Sequence, residues 1–380
     1  MSLKRTLGIV FALAAAVVIT LWIFNKHRDS SSSESANPNL KIGAILALTG
    51  PNSAYGINAR LGLELAQQDI QAAHPGHAVE IKYEDSQSTP AKAITSYQQL
   101  IATDDYKIIF GNASFLAKAI SPLAEKDQIL FVALGTTMPG LVEGKKNVIR
   151  HFPVAKNLAS VVADYAKSKF SRVAVLYVDD EYGLSASKSF AEQFTSSKNE
   201  IVFHEAFPPT ATDFKTLVDK ALEAKPDAIY VPGYGAAFSA IITRVREVSP
   251  KLPILGDLAL VNSNVRSALG SNAEGIVVPA LPTDAGMANS ERAKQFISRF
   301  REQHNENPDI LTVTSYDALW IVFDAFTASG NSPEAIKKFI VEKGPHNTLN
   351  GPVEYSKDGD SLISPVLLVV KDGKLVALSP

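Results

Sequence analysis

Apolar residues fall along most of the chain into short runs that alternate with longer segments of helical spacing. The run at residues 41–48 is nearly unbroken, which is typical of a parallel strand covered by helices on both faces. It leads through a turn-forming stretch at residues 49–53 into a segment in which Leu61, Leu65 and Ile70 recur at helical spacing. The pattern predicts a buried strand, a tight loop and an amphipathic helix.

The same alternation continues in two series. Further strands are predicted at residues 79–84, 107–110, 129–134, 172–178, 201–205, 227–231, 254–256 and 276–279. The helices predicted between them cover residues 90–101, 116–125, 157–167, the segment containing Phe190 and Phe194, 213–224 with Thr212 or Asp213 as cap, and 236–248. This rhythm predicts doubly wound parallel sheets with right-handed crossovers, one for each series.

The last hundred residues do not simply extend the second series. Helical spacing returns at residues 290–304 and 312–328, and we expect these helices to pack on the first sheet. Strand patterns follow at residues 350–355, 365–370 and 374–378, with Asp372 and Gly373 marking a hairpin turn. A chain that re-enters its first domain makes several crossings, which predicts a hinge with a cleft between two lobes.

The first residues predict export from the cytoplasm. Lys4 and Arg5 precede an uncharged apolar run at residues 6–24, which is near the length that spans a bilayer. We predict an uncleaved anchor at residues 1–28, the alternative being a cleaved signal peptide. Residues 29–39 are polar and Ser-rich, which predicts a flexible tether. The folded body is therefore expected to start near residue 40, on the periplasmic side of the inner membrane.

Length, charge balance and cysteine content exclude several classes of function. A length of 380 residues suits two domains, and 37 basic against 39 acidic residues give no basic face for a nucleic acid. The chain contains no cysteine, which excludes disulfides, thiolate metal sites, cysteine nucleophiles and a lipid-modified cysteine.

Motifs for catalysis are also missing from the sequence. No G-x-S-x-G, H-E-x-x-H or P-loop motif occurs. Gly233 and Gly235 imitate a dinucleotide-binding loop, but Phe238 stands where a third small residue is needed. We predict a protein that is not an enzyme and has no cofactor.

Two groups of residues are of the types that bind metals. His74 and His77 flank a Pro-Gly turn without further acids or histidines nearby, and residues 179–181 form an acidic loop. A solvated turn and a hydrated acidic loop at the edge of a lobe are the favoured interpretations, so no metal is predicted.

The loops that follow the strands carry the candidate binding residues. Hydroxyl groups and backbone N–H groups at helix starts hold a carboxylate without any cation, and a single acid pairs with an ammonium. Tyrosine rings would enclose the rest of a small polar molecule. For each residue alone, ordinary packing is the alternative. The residues that the strand exits bring forward are Tyr55, Ser114, Gly135 to Thr137, Tyr182, Tyr234 and Asp257.

Five segments in order carry a resemblance to a known family. They are KIGAILALTGPNSAYG, GNASFLAKAISPLAEKDQILFVALGTT, VLYVDDEYG, IYVPGYG and NGPVEYSKDGD. From residue 41 to its end the chain resembles the type I periplasmic binding proteins, and in particular the branched-chain amino-acid (Leu/Ile/Val) receptors of ABC importers. The resemblance implies two α/β lobes that are joined by three crossings and close on a ligand.

The resemblance also implies a role for each candidate residue. Ser114 and Thr137 correspond to hydroxyl contacts, and Ala113 and Gly135 to backbone contacts, with the ligand's α-carboxylate. Tyr55 would cover the pocket from the first lobe. On closure, the second lobe would contribute Tyr182, Tyr234 and, for the α-amino group, an acid at Asp257.

These observations predict an α/β protein with two doubly wound parallel-sheet lobes joined by a three-crossing hinge. The expected lobes are residues 40–152 with 281–364, and residues 153–280 with 365–380. The predicted function is a solute-binding receptor that delivers a small amino acid or related carboxylate to the membrane subunits of an ABC importer. The alternatives are the ligand-sensing subunit of a signalling system, and a receptor for an amide or for an aromatic or aliphatic acid.

Overall fold

The computed structural model describes residues 39–103, 106–288 and 290–378, so the predicted anchor and all but the end of the tether lie outside the described residues. Two large sheets organise the described chain. The strands of the first are β1 (Leu40–Leu46), β2 (Val79–Asp85), β3 (Ile108–Asn112), β4 (Leu130–Leu134) and β5 (Val148–Arg150). They pair in the order β2-β1-β3-β4-β5, and every pair is parallel.

The second sheet combines parallel strands with an antiparallel edge. Its strands are β6 (Arg172–Val178), β7 (Glu200–Phe207), β8 (Ala228–Tyr230), β9 (Ile254–Leu255), β10 (Val277–Ala280), β13 (Val366–Lys371) and β14 (Lys374–Ala377), while β11 (His346–Thr348) and β12 (Gly351–Val353) form a separate hairpin. The order is β14-β13-β10-β9-β8-β6-β7. β13 runs antiparallel to β10, and Asp372 and Gly373 join β13 to β14 as the sequence predicts.

Eleven α-helices connect or cover these strands in the described residues. They are α1 (Ser53–Ala73), α2 (Pro90–Thr103), α3 (Ser114–Asp127), α4 (Ala155–Lys169), α5 (Glu181–Phe194), α6 (Lys215–Glu223), α7 (Gly235–Val248), α8 (Ser263–Leu269), α9 (Glu291–His304), α10 (Ile310–Ser329) and α11 (Pro333–Lys343). Three short 3-10 turns lie at Leu258–Val261, Gly270–Ala273 and Pro282–Ala285.

The strands of the first sheet are apolar throughout because both of their faces are covered. Ile108 and Phe110 of β3 belong to a core that also contains residues of α1, α9 and α10. Ile109, which lies between them, belongs to the core under α2 and α3 on the opposite face. Successive side chains of a strand point to opposite faces, so an unbroken apolar run feeds two cores at once.

The helices α9 and α10 pack on the first sheet, as the sequence predicts. Arg299 of α9 forms a two-pronged ion pair with Asp69 of α1, with N–O distances of 2.8 and 2.7 Å. The hydroxyl of Tyr316 in α10 donates to the same carboxylate at 2.8 Å. α10 is long and apolar enough to cross a membrane, but most of it is buried inside this core.

The chain passes between the sheets three times, after β5, after β10 and before β13. The first and third passages lie side by side. Arg150 N donates to Gly359 O at 2.9 Å, and Ser361 N donates to Arg150 O at 3.0 Å. The buried Arg150 guanidinium also pairs with Asp360, with Nε 2.8 Å from Oδ1. These bonds fasten two connecting segments together at the waist of the molecule.

Two local predictions differ from the structure. α6 begins after Phe214, and neither Thr212 nor Asp213 is its N-cap; Asp213 Oδ1 instead accepts from Lys215 N at 2.9 Å in a short turn before the helix. The predicted exit loop at residues 111–114 is shorter than expected. β3 extends to Asn112 and α3 begins at Ser114, because a single residue makes the connection.

The close packing of α1 on β1 yields a test of the fold beside the cleft. A Cβ at Gly56 would lie 2.0 Å from the carbonyl oxygen of Ala47, so the helix and strand have to move apart to admit it. We expect Gly56→Ala to lower the free energy of unfolding by about 3 kcal/mol, as measured by denaturant titration. Ile57→Ala is the matched control, because Ile57 is exposed on the same helix and its loss should change stability by about 0.5 kcal/mol or less. Equal stability of the two variants would contradict this packing.

Candidate functional site

A cavity of about 530 Å³, including its opening to solvent, lies where the carboxyl ends of strands from both sheets face each other. We call the sheet β1–β5 with its helices the first lobe, and the sheet containing β6–β10 with its helices the second lobe. The cavity is lined by Asn52, Tyr55, Asn112, Ala113, Ser114, Phe115, Gly135, Thr137, Phe152, Asp180, Tyr182, Tyr234, Leu258 and Leu311. Seven of the eight predicted site residues are in this wall, and Asp257 is not.

The connection between β3 and α3 forms one end of the cavity. Ala113 has φ 80° and ψ 146°, a conformation that residues other than glycine rarely adopt. This one residue turns the chain from strand to helix, so Ser114 is the first residue of α3. The first N–H groups of a helix have no partner inside it, and they carry the positive end of the helix dipole. The start of α3 therefore presents donors to the cavity.

Two buried polar atoms at this end have no hydrogen-bond partner in the described part of the protein. They are Nδ2 of Asn112 and Oγ1 of Thr137, and both residues are 1% exposed. Asn112 is held in place by its other amide atom, because its Oδ1 accepts from Ala47 N at 2.8 Å. Buried polar groups are nearly always paired, so these two call for a specific explanation.

The backbone beside these atoms is closely fitted. Ser114 Oγ accepts from Thr137 N at 3.4 Å, which joins the α3 start to the segment after β4. Gly135 has φ 54°, and a Cβ there would lie 2.7 Å from the Leu311 side chain. Ala113 N donates to Leu134 O at 3.2 Å, so this amide is already used within the protein. The first turn of α3 supplies further backbone donors beside this amide.

Three tyrosine rings enclose the rest of the cavity. Tyr55 comes from α1 of the first lobe, and its ring meets that of Tyr234 edge-on with centroids 6.2 Å apart. Tyr182 and Tyr234 belong to the second lobe, with ring centroids 6.1 Å apart. Burial raises the pKa of all three hydroxyls above the ordinary value of tyrosine, so they stay neutral. The rings from the two lobes thus meet across the cleft.

Asp257 lies behind the cavity wall. It is the N-cap of the 3-10 turn Leu258–Val261, where its Oδ1 accepts from Leu258 N at 2.8 Å and its Oδ2 accepts from the Tyr182 hydroxyl. The next side chain, Leu258, lines the cavity instead. Burial raises the pKa of the Asp257 carboxyl to about 7, against the lowering effect of the Tyr182 hydrogen bond. The tight turn after β9 therefore places the apolar side chain of Leu258 in the wall, where the sequence predicts the acid Asp257.

The acidic loop at residues 179–181 also differs from its predicted role as a hydrated edge. Asp180 lines the cavity, caps α5 by accepting from Gly183 N at 2.9 Å, and accepts from the Tyr234 hydroxyl. Burial raises the pKa of this carboxyl, and its hydrogen bonds oppose that effect. Glu181 pairs with Lys118 of α3, an ion pair that joins the second lobe to the first.

Several wall residues carry no recognisable signal in the sequence. Asn112 ends an apolar strand, and the rare conformation of Ala113 beside it is visible only in the backbone. Phe152 precedes the second series, and Leu311 belongs to a helix almost two hundred residues from β3. Apolar residues of this kind match the core pattern, so only the assembled fold reveals that they face a cavity.

The chemistry of the wall suits binding. No lysine, arginine or histidine is among the lining residues, so an anion held here would be held by neutral donors. Within the part of the chain that the structure describes, no group of three or more potential ligand residues is placed to hold a metal ion.

Comparison with known proteins gives consistent results. The periplasmic binding protein family model matches residues 39–374. A Leu/Ile/Val-binding protein homolog from Brucella melitensis is 27% identical over 91% of this chain and 95% of its own length. Among solved structures, a leucine-binding protein LivK from Thermotoga maritima is 25% identical with a TM-score of 0.83, covering 90% of this chain and 98% of that one. The branched-chain amino acid transporter substrate-binding protein LivJ from Streptococcus pneumoniae, solved with isoleucine, is 23% identical with a TM-score of 0.81, covering 90% and 98%.

The buried Asp257 predicts a specific dependence of stability on pH. Its pKa is about 7 in the folded protein and near 3.8 when exposed, so the folded state keeps the proton more tightly. This carboxyl therefore makes the protein less stable as pH rises from about 4 to 7, by at most about 1.4 kcal/mol per pH unit. Asp257→Asn stays neutral, so denaturant titrations at several pH values should give a shallower slope than in the wild type. The remaining slope comes from other buried carboxyls such as Asp317, whose pKa burial raises to about 8.

The matched control is Glu192→Gln, a change at an exposed carboxylate that should leave the pH profile of the wild type intact. If the wild type and Asp257→Asn lose stability in parallel between pH 4 and 7, the carboxyl does not titrate as its burial requires.

Proposed function

The chain belongs to the periplasmic binding protein family, and from the geometry of its cavity we propose that it binds a small carboxylate by the acid end. As a member of that family it is a solute-binding receptor of an ABC importer and not an enzyme. The proposed ligand class is an amino acid or a related acid with an apolar body. The family places the receptor in the periplasm.

The unpartnered atoms of Asn112 and Thr137 carry this proposal. A buried polar group without a partner costs about 1–3 kcal/mol, so a ligand that satisfies both atoms gains that free energy on binding. A carboxylate offers two oxygens with about four acceptor positions and no competing donors. It is therefore the small organic group that best matches an amide N–H, a hydroxyl and helix-start N–H groups converging from three segments.

The predicted residues of the first lobe each have a place in this arrangement. We assign hydroxyl contacts to Ser114 and Thr137, with Gly135 and Ala113 shaping the backbone around the acid end. The strained φ of Ala113 supports the assignment, because such conformations cost about 1–3 kcal/mol and cluster at ligand clamps. Tyr55 covers the ligand from the first lobe.

The second lobe completes the enclosure. We propose lobes of residues 40–152 with 281–364, and of 153–280 with 365–380, which rotate about the three passages of the chain. Tyr182 and Tyr234 reach the ligand only when the lobes meet, so a bound ligand stabilises the closed form. The Lys118–Glu181 pair across the rim supports the same motion. The importer's membrane subunits would then recognise the closed form.

Transport is favoured over the sensing alternative because LivJ, one of the solved neighbours, is itself a transporter substrate-binding protein. For the N-terminus we propose an uncleaved anchor at residues 1–28 and a tether at residues 29–39. The length of the apolar run and the lack of cysteine support this proposal, since a receptor without a lipidated cysteine needs another attachment to stay at the membrane.

The double variant Ser114→Ala with Thr137→Ala tests the carboxylate site. A thermal-shift screen over amino acids and small acids first identifies a ligand, since ligands of the folded state raise the melting temperature. Isothermal calorimetry should then show binding weakened by about 2 kcal/mol or more, because two hydrogen bonds to a charged group are lost.

The control for this variant is Thr95→Ala with Ser168→Ala, which removes two exposed hydroxyls outside the cavity and should leave affinity unchanged. Unchanged affinity in the Ser114/Thr137 variant would place the acid end of the ligand elsewhere.

Anchoring is tested separately by expressing the full chain and fractionating the cells. We expect the protein in the membrane fraction, with its N-terminal residues still present by mass spectrometry. A soluble periplasmic product that begins near residue 29 would show that the segment is a cleaved signal.

A further inference from the structure

We infer that the ligand is a carboxylic acid with no amino group beside its carboxylate, namely a small aromatic or branched aliphatic acid. The inference rests on the proposed function and narrows it, because it accepts that the acid end binds near Ser114 and Thr137. It concerns the ligand carbon next to the carboxylate, because an ammonium group on that carbon distinguishes amino acids from their amine-free analogues.

An α-amino acid places its ammonium on the carbon that carries the carboxylate. Burying that charge is unfavourable unless an acid or several strong acceptors meet it directly. The wall should then hold a free carboxylate a few ångströms from the start of α3. The side chains of the second lobe that approach the cavity supply two acids, Asp257 and Asp180.

Asp257 is not placed to meet an ammonium. It is 2% exposed, and its two oxygens accept from Leu258 N and from the Tyr182 hydroxyl. The residue that reaches the wall from this turn is Leu258, whose side chain is apolar. An ammonium on this side would therefore lie against hydrocarbon, and Asp257 would not line its site.

Asp180 lies in the wall, and each of its oxygens already accepts a hydrogen bond from the second lobe. Oδ1 accepts from Gly183 N at the start of α5, and Oδ2 accepts from the Tyr234 hydroxyl. These two neutral donors stabilise the Asp180 carboxylate without a ligand and hold it at the start of α5. The hydroxyls of Tyr182 and Tyr234 both donate to acids, which leaves their rings to face the ligand.

The remaining wall suits an apolar body. Phe115, Phe152 and Leu311 line it together with Leu258 and the three tyrosine rings. Aromatic rings pack edge-on or offset against other rings and pack well against branched chains. One end of the cavity thus carries donors for an acid, and the rest is aromatic and aliphatic.

Calorimetry with matched pairs of ligands tests this directly on the purified full chain. The pairs are 3-phenylpropionate with phenylalanine and 4-methylpentanoate with leucine, and benzoate is added as a compact aromatic acid. We expect at least one amine-free acid to bind ten or more times tighter than its amino-acid partner. Binding in which the amino acids match or exceed their partners would overturn the inference and leave the proposed function standing.

If none of these carboxylates binds while a neutral amide does, the proposed carboxylate site itself is contradicted. The two failures are therefore distinguishable.

The variant Leu258→Glu supplies a second, independent measurement. A carboxylate at this position should shift the preference toward the amino acid of each pair by a factor of ten or more, mainly by weakening the amine-free acid. Leu258→Gln is the matched control, because glutamine has nearly the shape of glutamate without its charge. It should change the affinities for both members of a pair by the same factor. Circular dichroism shows whether the Leu258→Glu protein folds. If it folds and its ligand preference is unchanged, the side chain at residue 258 does not lie next to the ligand's α-carbon. If that variant does not fold, the wild-type pairs still decide the matter.

Discussion

The arrangement of the cleft depends on one constraint, which is that buried hydrogen-bonding groups have to be paired. Where β3, β4 and α3 meet, the backbone of Ala113 is strained and two side-chain atoms, on Asn112 and Thr137, have no partner within the described part of the protein. Other buried atoms of the first lobe, such as Ser86 Oγ and Ser96 Oγ, also have no partner among the described residues, but Asn112 and Thr137 line the cavity. A ligand can offset the cost of the two unpaired atoms, which lie at the carboxyl ends of parallel strands, where α/β sheets bind their ligands.

The two lobes contribute different chemistry to the same cavity. The first lobe provides hydrogen-bond donors fixed by a helix start and by adjacent strands. The second lobe provides rings, oriented by the acids behind them, as Asp180 orients Tyr234 and Asp257 holds Tyr182. Under the proposed function, the acid end of a ligand would bind to the first lobe and closure would add the apolar contacts of the second.

Much of this could be predicted from the sequence because the strand periodicity is strong. The alternation of strands and helices, the return of α9 and α10 to the first sheet and the Asp-Gly hairpin follow directly from local patterns. Strand exits are also visible in the amino-acid sequence, because each apolar run gives way to turn-forming residues. That change of pattern is enough to group Tyr55, Ser114, Thr137, Tyr182 and Tyr234 as neighbours of one cleft.

The sequence predictions are wrong where a shift of one residue along the chain changes which side chain faces the cavity or caps a helix. In the turn after β9, Asp257 caps the backbone and Leu258 faces the cavity, and no periodicity distinguishes the two. The N-cap of α6 was missed for a similar reason, since Asp213 accepts from Lys215 N in a turn that precedes the helix proper. Asn112 and Leu311 resemble core residues in sequence, and they belong to the cavity only because distant segments meet there.

A crystal structure of the protein with its ligand tests the central claim most directly. The account predicts that the two carboxylate oxygens lie within about 3.2 Å of Thr137 Oγ1, Asn112 Nδ2 and the first N–H groups of α3, with the apolar body between the tyrosine rings. A ligand that turns its apolar end toward Asn112 and Thr137, leaving those atoms unpaired, would contradict it.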